Sequence, residues 1–249
     1  MWHLAAFEQS IDPANALVVI NAIREETLFV NGADLRVPTA LPNIIGAAAT
    51  INDASLVRAQ IQSPSLRVFA NLDVEPIING LVFGSPPEQS FWPESPVAVT
   101  ADEALNFAVQ SDPAAAAIHR GFIFLSDGAQ TPVTGRMFTV RCTGAATLVT
   151  GTWVNGNLTF GQTLPAGQYI IVGMRARGTN LVAARLVFPE QIPRPGVLAV
   201  NAIGDTDPYW TRFGRMGVFG TFPHTNPPTV DALGVTDTTQ VYELDLVRA

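Results

Sequence analysis

Apolar and polar residues alternate over short runs along this chain, and Gly, Pro, Asn and Asp separate the runs. A period of two puts successive side chains on opposite faces of an extended backbone, so such runs predict half-buried strands. In the C-terminal half the pattern predicts strands at residues 137–143, 146–154, 157–164, 168–177, 181–188, 197–203, 216–222 and 240–247. In the N-terminal half it predicts 16–23, 27–30, 44–51, 66–72, 77–83, 105–110 and 121–126. Asn155-Gly156 falls between two of these runs and predicts a two-residue type I′ turn, whose central positions both take positive φ. Helix is scarce, with only 55–62 and 101–105 reading as a turn or two. Many short strands punctuated by turn residues predict a sandwich or barrel.

An internal repeat stands out. Phe91-Trp92-Pro93-Glu94 resembles Val187-Phe188-Pro189-Glu190, with the Pro-Glu pairs 96 residues apart. Each copy continues into an apolar run, 105–109 and 197–201, and then an Asp-Pro at 112 and 207. Arg120-Gly121-Phe122 and Arg215-Met216-Gly217 follow, their glycines again 96 apart, as are Asn31-Gly32-Ala33 and Asp127-Gly128-Ala129. Two related β domains in tandem are expected, 1–129 and 130–249, meeting at the turn cluster that begins at Ser126. The second copy then carries a tail, 223–249, without a counterpart at the end of the first.

Composition narrows the partners. The chain has 249 residues, 47% hydrophobic and only 14% charged, against roughly 25% charged in an average soluble domain. Its mean hydropathy is +0.24, the opposite of a disordered profile. Fourteen cations face 21 carboxylates for a net charge of −7, so the cation surplus needed to grip a phosphate backbone is missing and no direct nucleic-acid contact is expected. All the cations are arginine. A GC-rich coding sequence accounts for that, and forked guanidinium geometry also suits interfaces. No run reaches the ~18 apolar residues of a membrane span, and the first residues lack the positive start and long apolar run of a leader. A weakly charged, apolar chain of this kind is expected to hide surface in an assembly.

Candidate chemistry is sparse. His3, His119 and His224 show no metal-ligand spacing, and the last two read as loop residues. The lone Cys142 lies in a strand-like run and reads as a core residue. Asp205 and Asp207, one residue apart before Pro208, are the best oxygen-rich pair for a cation, although the other ligands of a calcium loop are missing. Glu25 and Glu26 are adjacent and would point apart in a strand. Asn157-Leu158-Thr159 is a formal glycosylation sequon. Trp92, Trp153 and Trp210 would make a sugar platform if coplanar and exposed. No nucleophile elbow, phosphate loop or dinucleotide fingerprint is present.

Two tandem, duplicated β domains without active-site residues resemble the double jelly-roll major capsid proteins of the tectivirus, corticovirus and adenovirus lineage. The duplicated stretches 93–122 and 189–219 carry the resemblance. It implies an all-β chain of two eight-stranded jelly rolls with little helix. It also implies a homotrimer, pseudo-hexagonal in outline, that tiles an icosahedral shell beside neighbouring capsid proteins. The implied protein is no enzyme and has no cofactor, catalytic residue or metal. Its place is the virion, after synthesis in the host cytoplasm, in some members above an underlying viral membrane near which Trp2 would anchor. The Pro-rich stretches 84–101 and 223–239 would supply intersubunit loops. The residues alone also leave open a virion spike, fibre or baseplate protein, a two-domain carbohydrate-binding module, and a jelly-roll hydrolase.

Overall fold

A computed structural model describes residues 1–53, 55–75, 77–78, 90–199, 211–235 and 240–249. Among these the chain is all-β, with a 3-10 turn at Leu66–Val68. The first half supplies β1 (Trp2–Ile11), β2 (Leu17–Ile20), β3 (Val30–Asn31), β4 (Asp34–Arg36), β5 (Asn43–Ile51) and β6 (Leu56–Gln62). It continues with β7 (Leu72–Asp73), β8 (Ile77–Ile78), β9 (Ser90–Phe91), β10 (Val97–Ala98), β11 (Ala104–Ser111) and β12 (Ala117–Ser126). The second half supplies β13 (Met137–Gly144), β14 (Val154–Gly156), β15 (Thr159–Phe160), β16 (Gln168–Gly178) and β17 (Leu181–Val187). It ends with β18 (Gly196–Leu198), β19 (Gly220–Pro223), β20 (Thr229–Gly234) and β21 (Gln240–Arg248).

The chain divides into two compact units. One holds the described residues from Ala5 to Ala129, the other those from Gln130 to Ala249 together with Met1–Leu4. Residues 1–4 therefore group with the second half, not the first as the sequence suggested. Strand β1 was not foreseen at all.

In the N-terminal unit one sheet runs β1-β12-β5-β10, with β8 and β9 also on β5. The other runs β3-β4-β11-β6-β7, with β2 also on β11. Between them lies a core that includes Phe7, Ile44, Ile51, Ile61, Phe107, Val109 and Ile123, all fully buried. At roughly 1.5–3 kcal/mol for each large side chain taken out of water, this burial is what holds the sheets face to face.

In the C-terminal unit the orders are β15-β13-β21-β16-β19 and β14-β20-β17-β18. Strand β13 shows why they pair: Val140, Cys142 and Gly144 are buried while Thr139, Arg141 and Thr143 are exposed, the alternation of a sheet with one wet face. Tyr169 and Phe222 stack with ring centroids 5.6 Å apart across the β16–β19 ladder.

The two units share one strand plan. The order β1-β12-β5-β10 repeats as β13-β21-β16-β19, and β2-β11-β6-β7 repeats as β14-β20-β17-β18. They share irregularities as well. Opposite β12, the β5 ladder skips Ile45 just before Gly46; opposite β21, the β16 ladder skips Val172 just before Gly173. Opposite β11, β6 skips Val57, and opposite β20, β17 skips Val182. Bulges are specific features of a strand pair, so matched bulges fix the equivalence. Leu56-Val57-Arg58-Ala59-Gln60-Ile61 then aligns with Leu181-Val182-Ala183-Ala184-Arg185-Leu186, 125 residues on.

This corrects the 96-residue repeat. Gly121 lies within β12, whereas Gly217 sits outside the strands at φ 76°. Residues 105–109 belong to β11, which has neighbours on both sides, but Val197 and Leu198 belong to β18 at a sheet edge. The supposed tail is no appendage, since it holds β20 and β21, the counterparts of β11 and β12.

Other expectations also change. Residues 56–62 form strand β6, not a helical turn, because Leu56, Ala59 and Ile61 are buried and pair with β11. Asn155-Gly156 lies inside β14, paired with Asp231 and Val230 of β20, so the expected hairpin turn is absent there. Residues 66–69 form a 3-10 turn and its exit, and 70–71 are irregular, rather than a strand. Of 216–222, only Gly220 onward joins a ladder. Much of the predicted strand 77–83 and residues 200–203 of another lie outside the described residues.

Candidate functional site

The predicted chemical residues do not converge. His119 is a strand residue, fully buried in β12, and not a loop residue. Its Nδ1 lies 2.9 Å from the Ala117 carbonyl and its Nε2 2.6 Å from Ser111 Oγ. A carbonyl only accepts, so Nδ1 donates and Nε2 accepts from the hydroxyl. Burial lowers the pKa of this imidazole, against the opposing pull of the Ala117 carbonyl and nearby Asp53 and Asp12. Ser111 is fully buried too, which closes this serine–histidine pair to any outside substrate.

His224 is exposed in the turn after β19, its Nδ1 3.3 Å from the Gly167 N–H. Cys142 is buried, and burial pushes its thiol up to about 12. Glu25 accepts from the Thr27 hydroxyl at 3.2 Å. Trp92 is tied by its Nε1 to the Ile44 carbonyl at 2.9 Å, and Trp153 lies under the Arg185 guanidinium, 4.2 Å from its ring centre. These two tryptophans pack against protein groups rather than forming a platform. Trp2 is 1% exposed and packs edge-on against Phe219, which removes it as a membrane anchor. Asp205, Asp207 and Trp210 lie outside the described residues. Among the described residues, no group of three or more His, Cys, Asp or Glu is placed to hold a metal.

What the structure does assemble is an arginine–carboxylate face on the sheet β13-β21-β16. The register sets Arg141, Glu243 and Arg175 in one row across the three strands, and Thr139, Asp245 and Gly173 in a neighbouring row. Arg212, from the segment before β19, closes on Asp245 as a fork, Nε to Oδ2 at 2.7 Å and Nη2 to Oδ1 at 3.0 Å. Thr139 Oγ1 and the Phe213 N–H complete the shell at 2.6 and 3.0 Å. Burial pushes the Asp245 carboxyl up, but these hydrogen bonds and the Arg212 charge outweigh it and hold the carboxyl below its ordinary value. The segment reaches the sheet because Gly173 has no side chain: a Cβ there would collide with Asp245 Oδ2 and stand 3.0 Å from the Phe213 nitrogen.

Glu243 is held more loosely. It is shared by Arg212, Arg177 and Arg175 at 3.6, 3.8 and 3.9 Å. Arg177 is 34% exposed, and Arg141 is exposed on the same face. Four guanidiniums around two carboxylates leave this face positive.

A second polar cluster in the same unit is buried and serves to fasten its parts. Arg185 Nε binds Asp231 Oδ2 at 3.0 Å, Arg194 Nη1 reaches the same oxygen at 2.8 Å, and Asn155 Nδ2 takes Oδ1 at 2.9 Å. Arg185 Nη1 donates to the Leu4 carbonyl at 3.2 Å, and the Arg194 N–H donates to His3 Nδ1 at 3.0 Å. The N-terminal unit has Gln60 opposite Ala108 where this unit has Arg185 opposite Asp231.

Open recesses are shallow and weakly equipped. A cleft of about 430 Å³ is lined by Phe160, Leu164, His224 and Pro227 among others, without a carboxylate or cation beside the imidazole. Apolar side chains also stand in solvent, with Phe69 96%, Val68 73%, Phe29 66% and Val57 63% exposed in the N-terminal unit. In the C-terminal unit Ile192 is 70% and Phe213 55% exposed.

Comparison with known proteins gives no match to any family model, curated protein or solved structure.

Proposed function

We propose that this protein is a structural component of a virion shell, a double jelly-roll major capsid protein that associates as a homotrimer. The observation that carries the reading is the strand plan stated twice in one chain. Numbering the eight main strands of each unit in sequence, one sheet is ordered first-eighth-third-sixth and the other second-seventh-fourth-fifth. This order supports a jelly roll, a two-sheet arrangement that recurs in capsid and lectin domains. A trimer of a two-roll chain offers six similar units around one axis, a near-hexagonal tile that packs against its neighbours.

Other features agree. The exposed Phe69, Val68, Phe29 and Val57 suit a subunit that covers surface on assembly. The buried Ser111–His119 pair and the scattered histidines favour a structural part over a hydrolase. The packed Trp92 and Trp153 weigh against a sugar platform.

The test is native mass by light scattering after size exclusion, with negative-stain images of the same fractions. Three chain masses, or hexagonal patches and shells, are expected. A stable monomer at high concentration would overturn the reading, and a glycan screen would then be the next experiment.

A further inference from the structure

The two halves of the chain carry opposite charge. Residues 1–129 hold five arginines against fourteen carboxylates, a net of −9, whereas residues 130–249 hold nine arginines against seven carboxylates, a net of +2. The chain total of −7 conceals this division. In the C-terminal half the surplus is not spread evenly. Four of its arginines gather on the β13-β21-β16 face with two carboxylates, and the flanking Thr139 and Thr143 on β13 are uncharged and exposed.

Arg212 is committed to Asp245 by its fork. Arg141 is exposed and the Arg177 side chain is 34% exposed, and Arg177 touches its carboxylate only at 3.8 Å. A guanidinium at that distance retains donors for a better-placed carboxylate, with which it would make parallel bonds.

We infer that this arginine face docks the acidic N-terminal unit of a second copy of the chain, so that neighbours join head to tail. The inference rests on the capsid reading and supplies the force that orders its ring. A patch on one unit that meets a different patch on the next copy is heterologous, and heterologous contacts close into rings when the rotation allows. A ring built this way alternates acidic and basic units. Placing two N-terminal units side by side would set one net charge of −9 against another, and like-charge juxtaposition is what excludes a wrong pairing. The charge division favours this contact over one between two N-terminal units.

The experiment is a salt series on the wild-type chain beside the double variant Arg141→Glu/Arg177→Glu, with mass read by light scattering and folding checked by circular dichroism. In about 0.05 M NaCl the wild type is expected to be trimeric. In about 1 M NaCl, where the screening length falls to about 3 Å, it is expected to dissociate. The variant is expected to associate at least about tenfold more weakly at low salt with an unchanged β-sheet spectrum. A wild-type trimer that resists about 1 M NaCl, or tightens in it, overturns the inference and leaves the capsid reading standing. A variant that still forms the trimer as tightly does the same. A wild type that is monomeric at every salt concentration overturns both. Should the variant misfold, the wild-type salt series decides alone.

Discussion

Asp231 is the residue on which the buried cluster of the C-terminal unit depends. It is 3% exposed and takes Arg185, Arg194 and Asn155 on its two oxygens. Replacing Asp231 with Ala strands the fully buried Arg185, and breaking a buried pair from one side costs about 3–5 kcal/mol. Arg185→Gln together with Asp231→Ala recreates the Gln60–Ala108 pair of the other unit and is expected to cost less than the single change. Urea midpoints of the two variants check this, and the ordering reverses if the arginine is held by Leu4 and Trp153 alone. Asp245 makes stability depend on pH. Its carboxyl lies lower in the fold than the ordinary 3.8, so its contribution is complete above that value and is lost as pH falls through the folded pKa. Wild-type urea midpoints are expected to drop below about pH 4. Asp245→Asn is expected to lower the midpoint at pH 7 and flatten that acid dependence.

Among the elements, the glycine bulge of β16 has the most specific task. Gly173→Ala would drive a Cβ into Asp245 and the 212–213 backbone, so the segment must lift and the Arg212 fork must open. The expected result is a destabilisation of about 1–3 kcal/mol with new protease cleavage between residues 211 and 216, read by limited proteolysis. The long central strands were legible in the sequence. Residues 44–51, 105–110, 168–177, 181–188 and 240–247 carry enough Ile, Leu, Val and Ala in alternation to declare themselves, and each falls on a strand. Short edge strands were not, because β7, β10 and β14 are two or three residues long and owe their form to a neighbour rather than to their own pattern. Strand β6 was misjudged for a related reason. Leu56 and Ala59 stand three apart, a helical interval, only because the skipped Val57 breaks the period of two that Ala59 and Ile61 keep.

At the scale of the whole molecule, the all-β class followed from turn residues and alternation. The site did not, because its members come from separate strands and a loop: Arg141, Arg175, Arg177, Arg212, Glu243 and Asp245 meet only through sheet register. The duplication was visible but misaligned. The Pro-Glu and Asn-Gly/Asp-Gly matches belong to connections, whose lengths drift between copies, and Gly121 of β12 was paired with Gly217 outside the strands, whereas Leu56-Val57-x-Ala59 and Leu181-Val182-x-Ala184 mark the same bulged strand in each. Searching for strand-internal identities in place of turn residues would have found the 125-residue spacing. Deleting residues 2–4 removes Trp2 from Phe219, His3 from Arg194 and the Leu4 carbonyl from Arg185. Loss of more than about 2 kcal/mol is expected from the Trp2 side chain alone, read as a lower thermal midpoint with the β spectrum retained.

That attachment of residues 1–4 also bears on the order of events during synthesis. They are synthesised well before the side chains that complete their surroundings, Arg185, Arg194, Phe219 and Asp231. At about 5–20 residues per second the leading segment waits on the order of ten seconds for its partners. During that interval Trp2 has no Phe219 to pack on, and a chain that has not reached Phe219 presents an indole that the folded unit conceals. Early-made side chains are thus buried by ones made much later, and a chain stopped before Phe219 is marked by the Trp2 indole it leaves uncovered.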